Sequence, residues 1–270
     1  MDLNTIDEIT GAADAGVWRA GDGWLAGGTY LFSEPQPHLH RLRDLTTLGW
    51  PALTATPDGL QIAATCTIAE LARLAAPTWP VCDPLFRQCA DAFLASFKIQ
   101  NVATVGGNLC AALPAGPMTS LTAALDGRCT LESLDGTHRQ LAVTDFVTGD
   151  GTTALRPGEF LRSIVLPATA LTGRAAFRQG SLHPLGRSAA LVIGRIDAGT
   201  ETLVLTVTAS TCRPIQFRFA QLPTTAELRA AIDALPADVW VDDVHGAPAW
   251  RRHLTERFAA EVRDELAVGR

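Results

Sequence analysis

Two short apolar runs in this chain each stop at a Gly-Gly pair: Trp24-Leu25-Ala26 before Gly27-Gly28-Thr29, and Val102 to Val105 before Gly106-Gly107-Asn108. Glycine has no Cβ, so each pair lets the backbone turn tightly and come close to another group. A turn of this kind can aim successive N–H groups at an anion, and each charge-assisted bond is worth about 1.5–3 kcal/mol. Two such loops meeting at one diphosphate could hold a dinucleotide with little help from basic side chains. Neither has the spacing of a Walker loop or a Rossmann fingerprint. One Gly-Gly turn alone is more often only structural. The repetition points to a ligand, with Thr29, Thr104 and Asn108 offering side-chain donors beside the glycines.

That economy of basic groups suits a 270-residue chain with 22 Lys and Arg against 28 Asp and Glu, a net charge of −6. The balance opposes a nucleic-acid footprint, which needs clustered cations. With 47% hydrophobic and 19% charged residues the chain folds as a globular protein. No apolar stretch reaches the roughly 18–20 residues of a membrane span, and Met1 to Asp14 is polar and acidic where a signal peptide would be basic and then apolar. The expectation is a cytoplasmic protein with no membrane partner. Six cysteines (Cys66, Cys82, Cys89, Cys110, Cys129, Cys212) form no CxxC pair, which fits neither zinc, nor a disulfide framework, nor a cysteine-held iron–sulfur cluster. His38-Leu39-His40 lacks a third ligand beside it, so no metal site is expected.

Local signals then sketch an α+β architecture. Thr5-Ile6-Asp7-Glu8, spelled like a capping box, predicts a helix from about Ile6 to Trp18. Leu42, Leu45 and Leu48 suggest a strand or short helix, Leu60 to Ala64 a strand, and Thr67 to Glu70 the cap of a helix. After the link with Pro77, Pro80 and Pro84 comes a helix from about Leu85 to Ser96. A helix at Thr119–Leu125 and strands at Arg128–Leu134, Arg139–Val143 and Glu159–Leu166 follow. From about Ala168 the texture changes. Ala189–Ile196 and Thr202–Ala209 read as an antiparallel pair, with Leu203, Leu205, Val207 and Ala209 on one face. Two helices finish the chain, one capped by Thr224 to Glu227 and one opened by Pro248. Two units follow, 1–167 and 168–270.

The segments Leu25 to Leu31 and Ile99 to Leu109 resemble the two flavin-binding loops of the FAD-binding medium subunits of molybdenum hydroxylases, the xanthine dehydrogenase and aerobic carbon monoxide dehydrogenase family. Similarity continues through Pro114 to Asp126, Asp145-Phe146, Leu155 to Pro167, Phe177-Arg178 and the closing segment Trp250 to Leu266. The resemblance implies a two-part FAD-binding domain of the vanillyl-alcohol oxidase (PCMH) type, its parts dividing near residue 55, followed by a small α+β domain with a three-stranded antiparallel sheet and helices. It implies FAD held by Leu25, Ala26, Gly27, Gly28, Thr29, Tyr30, Leu31 and Phe32 and by Thr104, Val105, Gly106, Gly107 and Asn108, with Leu161 and Arg178 against the rest of the cofactor. It also implies an iron–sulfur small subunit that supplies electrons, a molybdopterin large subunit that oxidises the substrate, NAD or oxygen as acceptor, and a heterohexamer. Pro117 departs from the family, which usually has an aspartate there, and Ala111, Gln100 and Tyr30 depart at three further positions.

No catalytic acid or base is expected, because the chemistry would belong to the flavin. Two other readings stand beside this one: a structural or assembly subunit that has lost its flavin, and a stand-alone flavin oxidase. Flavin content separates the first from the main reading, and reduction by a small molecule without partner chains separates the second.

Overall fold

The computed structural model describes residues 5–14, 16–74 and 79–268. Its first element corrects the first expectation: Glu8–Gly11 is a strand, β1, and no helix forms there. The Thr5 hydroxyl donates to the Gln36 carbonyl at 3.3 Å. Gly11 interrupts the segment, where a glycine disfavours helix. What it meets instead is partner backbone, with the Asp7 N–H on the His40 carbonyl at 2.8 Å and Glu8 in register with Arg41. Long-range pairing wins over a weak local preference.

β2 (Asp22–Leu25) and β3 (Arg41–Asp44) complete a parallel sheet in the order β1-β3-β2. Buried charge holds it. Asp22 Oδ1 accepts from Arg41 Nε at 2.7 Å, and Oδ2 accepts from Arg41 Nη2 at 2.7 Å and Arg43 Nε at 2.9 Å. These bonds, from Arg41 above all, hold the Asp22 carboxyl well below the usual carboxylate range. The apolar positions that allowed either strand or helix here are used for both in turn, because β3 runs directly into a 3-10 turn at Leu45–Leu48.

β4 (Leu53–Thr56) and β5 (Gly59–Ala63) follow, then α1 (Ile68–Ala72). Here the capping box is real: Thr67 Oγ1 accepts the Glu70 N–H at 3.2 Å, and Glu70 Oε2 accepts the Thr67 N–H at 2.8 Å. Pro77, in the link after it, lies outside the described residues. α2 (Cys82–Ala92) stops earlier than expected, since Leu94 adopts a left-handed φ of 51°. α3 (Phe97–Gln100), α4 (Val105–Ala111) and α5 (Pro117–Ala124) come next. α5 is buried on every side, and its proline sits at the first helical position, where a missing N–H costs nothing.

β6 (Arg128–Glu132), β7 (His138–Ala142), α6 (Val143–Phe146), the hairpin β8 (Val147–Gly149) and β9 (Thr152–Thr153), and β10 (Phe160–Pro167) lead to the centre of the molecule. The central sheet is antiparallel in the order β4-β5-β10-β6-β7. Leu60, Ile62 and Ile164 from it share one core with Leu85 and Phe86 of α2, Leu109 of α4 and Leu121 of α5.

α7 (Ala168–Leu171) precedes a C-terminal sheet that has four strands, not three: β11 (Arg174–Gly180), β12 (Ala190–Ile196), β13 (Leu203–Thr208) and β14 (Ile215–Phe219), antiparallel in sequential order. The inner pair was legible. The edge strands were not: β11 mixes arginine and glutamine with small residues, and β14 is a five-residue alternation, Ile215 to Phe219, too short to stand out between the loops around it. Both inner strands are covered on two faces, so β13 buries Val204 and Thr206 as well as its expected apolar row. Leu203, Leu205 and Val207 pack with Phe258 and Val262 of α9 (Pro248–Val268), and α8 (Thr225–Asp233) lies beside it. Leu191, Ile193 and Ala209 instead join the core around α5, and the Ser120 and Thr208 hydroxyls meet at 2.6 Å. Among the described residues no helix is long and apolar enough to cross a membrane.

Candidate functional site

β2 is an edge strand, and the chain leaves it at Leu25 into the first glycine pair. Gly28 has φ 68°, a left-handed turn closed by the Phe32 N–H on the Gly28 carbonyl at 2.8 Å. The Phe32 ring fills the space beside it: a Cβ on Gly28 would lie 2.4 Å from Phe32 Cε2. Gly27 has a different reason to be glycine. A Cβ there would lie 2.0 Å from the Val102 carbonyl oxygen and 3.2 Å from Ala103 Cα. The two loops therefore touch backbone to backbone. The backbone N–H groups from Gly27 to Leu31 have no acceptor among the described residues.

The second glycine pair differs from the strand-and-turn expected of it. Gly106 and Gly107 form the first turn of α4, with Thr104 as N-cap. Gly106 lies on Ala64, whose Cα a Cβ would approach to 2.6 Å. Its donors are already used within the protein: Val105 N–H to the Cys66 carbonyl at 2.8 Å, Gly106 N–H to the Ala64 carbonyl at 3.0 Å, Gly107 N–H to Thr104 Oγ1 at 3.0 Å, and Asn108 N–H to the Thr104 carbonyl at 3.0 Å. The free donors thus belong to the first loop. The second contributes a smooth glycine wall and the Asn108 side chain, whose Oδ1 accepts the Met118 N–H at 3.0 Å and so caps α5 from outside. Its amide NH2 is left as the group it can offer.

Between the loops lies a cavity of about 550 Å³, within the range of ligand sites. Of the residues singled out from sequence, Ala26, Gly27, Gly28, Thr29, Tyr30, Leu31, Thr104, Gly106, Gly107, Asn108 and Leu161 line it. Leu25, Phe32 and Val105 are outside the lining; Leu25 and Phe32 back the glycine turn, and Val105 is fully buried in the core. Arg178 stands apart, bound by Glu261 at 2.9 Å and Glu265 at 2.8 Å on α9.

Sequence reasoning missed several walls. Trp24 and Phe160 meet edge-on with centroids 4.8 Å apart, and the Trp24 indole donates to the Glu159 carbonyl at 2.9 Å, tying β2 to β10. Each directly precedes a residue that was singled out, so the signal was adjacency. Ile99 and Arg187 also line the cavity, and Arg187 is its one charged side chain. Nothing in the local sequence marked Arg187. Cys110 lines it too, and burial pushes its thiol up to about 12. Among the described residues no group of three His, Cys, Asp or Glu could hold a metal.

Glycine where a backbone must approach, unclaimed N–H donors in a row and an elongated apolar wall fit a dinucleotide with a diphosphate at its middle. Residues 5–169 match the FAD binding domain in molybdopterin dehydrogenase. The chain belongs to this family. As a member of this FAD-binding family its cofactor is FAD. Over 105 residues it is 32% identical to the nicotinate dehydrogenase FAD-subunit of Eubacterium barkeri, covering 38% of this chain and 33% of that one. Over 88 residues it is 33% identical to xanthine dehydrogenase of Oryza sativa subsp. japonica, covering 33% of this chain and 6% of that one. The chain thus matches a minor part of these relatives' length. Its fold resembles a chain of carbon monoxide dehydrogenase from Hydrogenophaga pseudoflava, with a TM-score of 0.79 at 19% identity over 96% of both chains.

Proposed function

We propose that this chain is the FAD-binding electron-transfer subunit of a molybdenum hydroxylase assembly, standing between an iron–sulfur small subunit, fed by a molybdopterin large subunit, and an acceptor that is NAD or oxygen. The observation that carries the reading is the contact of the two glycine loops at Gly27 and Val102, above a cavity faced by first-loop N–H groups that the protein itself leaves without acceptors. FAD would supply the redox chemistry there.

The chain's own residues bind, orient and exclude water. The N–H groups of Gly27 to Leu31 hold the diphosphate, and the Asn108 amide adds a side-chain donor from the opposite wall. Trp24, Phe160, Leu161 and Ile99 form an apolar lining that keeps solvent from the ring system. Cys110 stays a neutral thiol at physiological pH and takes no part as a nucleophile. Pro117 lies at the first turn of α5, so the family's usual aspartate is replaced by a residue that shapes the helix start, while the first-loop cradle is untouched.

The name of the Eubacterium barkeri relative, an FAD subunit, supports a flavin-carrying chain that works within a larger assembly. A heterohexamer with each of three subunit types present twice is the form proposed for it. The same reading divides the chain into a FAD-binding domain, 1–167, with parts meeting near residue 55, and a C-terminal domain, 168–270.

The test is the visible spectrum of the purified chain, followed by acid release and chromatography of its cofactor. Stoichiometric FAD is expected. A protein that stays colourless after incubation with excess FAD would shift the reading to an assembly subunit, and bleaching by a small substrate without partner chains would shift it to a free-standing oxidase.

A further inference from the structure

FAD carries two negative charges on its diphosphate, and the first loop meets them with N–H dipoles only. The resemblance sets Arg178 against the rest of the cofactor, and its guanidinium is shared between Glu261 and Glu265 and also donates to the Phe177 carbonyl at 2.9 Å. Two carboxylates already neutralise it. Arg41 and Arg43 are likewise consumed by Asp22, and Arg162 lies flat over Trp50 at 4.0 Å.

Arg187 is different. It is exposed, it lines the cavity, and it makes no hydrogen bond or ion pair with any described residue. Its backbone is nonetheless anchored on both sides. It ends the connection between β11 and β12, next to buried Ser188, whose hydroxyl accepts from Gln179 Nε2 at 2.9 Å; the preceding turn is closed by the Gly186 N–H on the His183 carbonyl at 2.8 Å.

We propose that Arg187 is the counter-charge of the bound cofactor, a guanidinium that pairs with an anionic group of FAD through charge-assisted hydrogen bonds. This rests on the FAD reading above. The anionic group is either the diphosphate or the ring locus that gains negative charge on reduction.

The experiment measures FAD affinity at several salt concentrations, and the midpoint potential of the bound cofactor, for the wild type, Arg187→Gln and Arg187→Lys. Because Arg187 is exposed and without partners in the protein, its variants keep the wild-type fold, which circular dichroism checks. If the group is the diphosphate, Arg187→Gln weakens binding about tenfold and flattens its salt dependence, and Arg187→Lys restores part of both. If the group is the ring, affinity for oxidised FAD stays put and the potential of Arg187→Gln moves negative. Wild-type affinity, salt dependence and potential in Arg187→Gln would overturn the proposal while leaving the FAD reading intact. Failure of the wild type itself to bind FAD would remove the reading on which it stands.

Discussion

The Val102 carbonyl oxygen occupies the place where a side chain on residue 27 would begin, 2.0 Å from the position of a Cβ on Gly27. Backbone cannot yield there as a flexible side chain would. Gly27→Ala is therefore expected to push the two loops apart, costing about 1–3 kcal/mol in stability and most of the FAD. Denaturant unfolding and cofactor content read the two effects, and a Gly27→Ala protein with full FAD content would contradict the packing argument.

The second pair separates fold from binding. A methyl on Gly106 would press on Ala64 Cα at 2.6 Å, whereas one on Gly107 would meet only Thr104 Oγ1, at 2.8 Å, and otherwise face the cavity. Gly106→Ala should lose about 1–3 kcal/mol. Gly107→Ala must displace the Thr104 cap hydroxyl, a cost of about 1 kcal/mol that the helix preference of alanine over glycine, up to about 1 kcal/mol, offsets. Its stability should change little while FAD binds more weakly. Melting temperatures of the apoproteins beside FAD titrations distinguish the two.

Thr119 is buried, and its hydroxyl has no hydrogen-bond partner among the described residues. A buried polar group without a partner costs about 1–3 kcal/mol, so Thr119→Val, which keeps the shape, should stabilise the protein by about 1 kcal/mol. Thr122 is the control, because its hydroxyl donates to the Met118 carbonyl at 2.8 Å. Urea midpoints should rise for Thr119→Val and fall or stay level for Thr122→Val.

Acid should find the parallel sheet first through Asp22. Its carboxyl is held below the ordinary value by Arg41 and Arg43, so its contribution is present in full above the unfolded-state value of about 3.9 and is lost as pH falls through the lower folded one. Asp22→Asn removes the buried carboxylate that Arg41 and Arg43 share, a loss of about 3–5 kcal/mol, and removes that part of the acid dependence. Comparing urea midpoints at pH 7 and pH 3, the gap between variant and wild type should narrow at the lower pH.

What the sequence disclosed depended on how local each signal was. Thr67 and Glu70, or Thr224 and Glu227, need only each other, and both capping boxes formed. Thr5 and Glu8 spell the same box, but β3 lies thirty residues on and took the segment as a strand. The first glycine loop was readable because its φ requirement and its contact with Phe32 are close in sequence. That Gly27 needs no side chain because of Val102, that Gly106 rests on Ala64, and that Arg178 is claimed from α9 are facts about distant chain segments. Arg187 was silent for the same reason, since its meaning is the cavity it overlooks.

The pairing of β5 with β10, Ile62 opposite Ile164 and Leu60 opposite Leu166, sets a timetable for the growing chain. Both glycine loops leave the ribosome long before Phe160 and Leu161, which complete the cavity wall. Closing a loop of that length is entropically slow and delays the contacts that reward it. A nascent chain interrupted before β10 would therefore carry both glycine loops and still have no pocket. Cofactor loading thus waits for β10, and FAD supplied during synthesis would act as a trap for chains that had already brought β10 home.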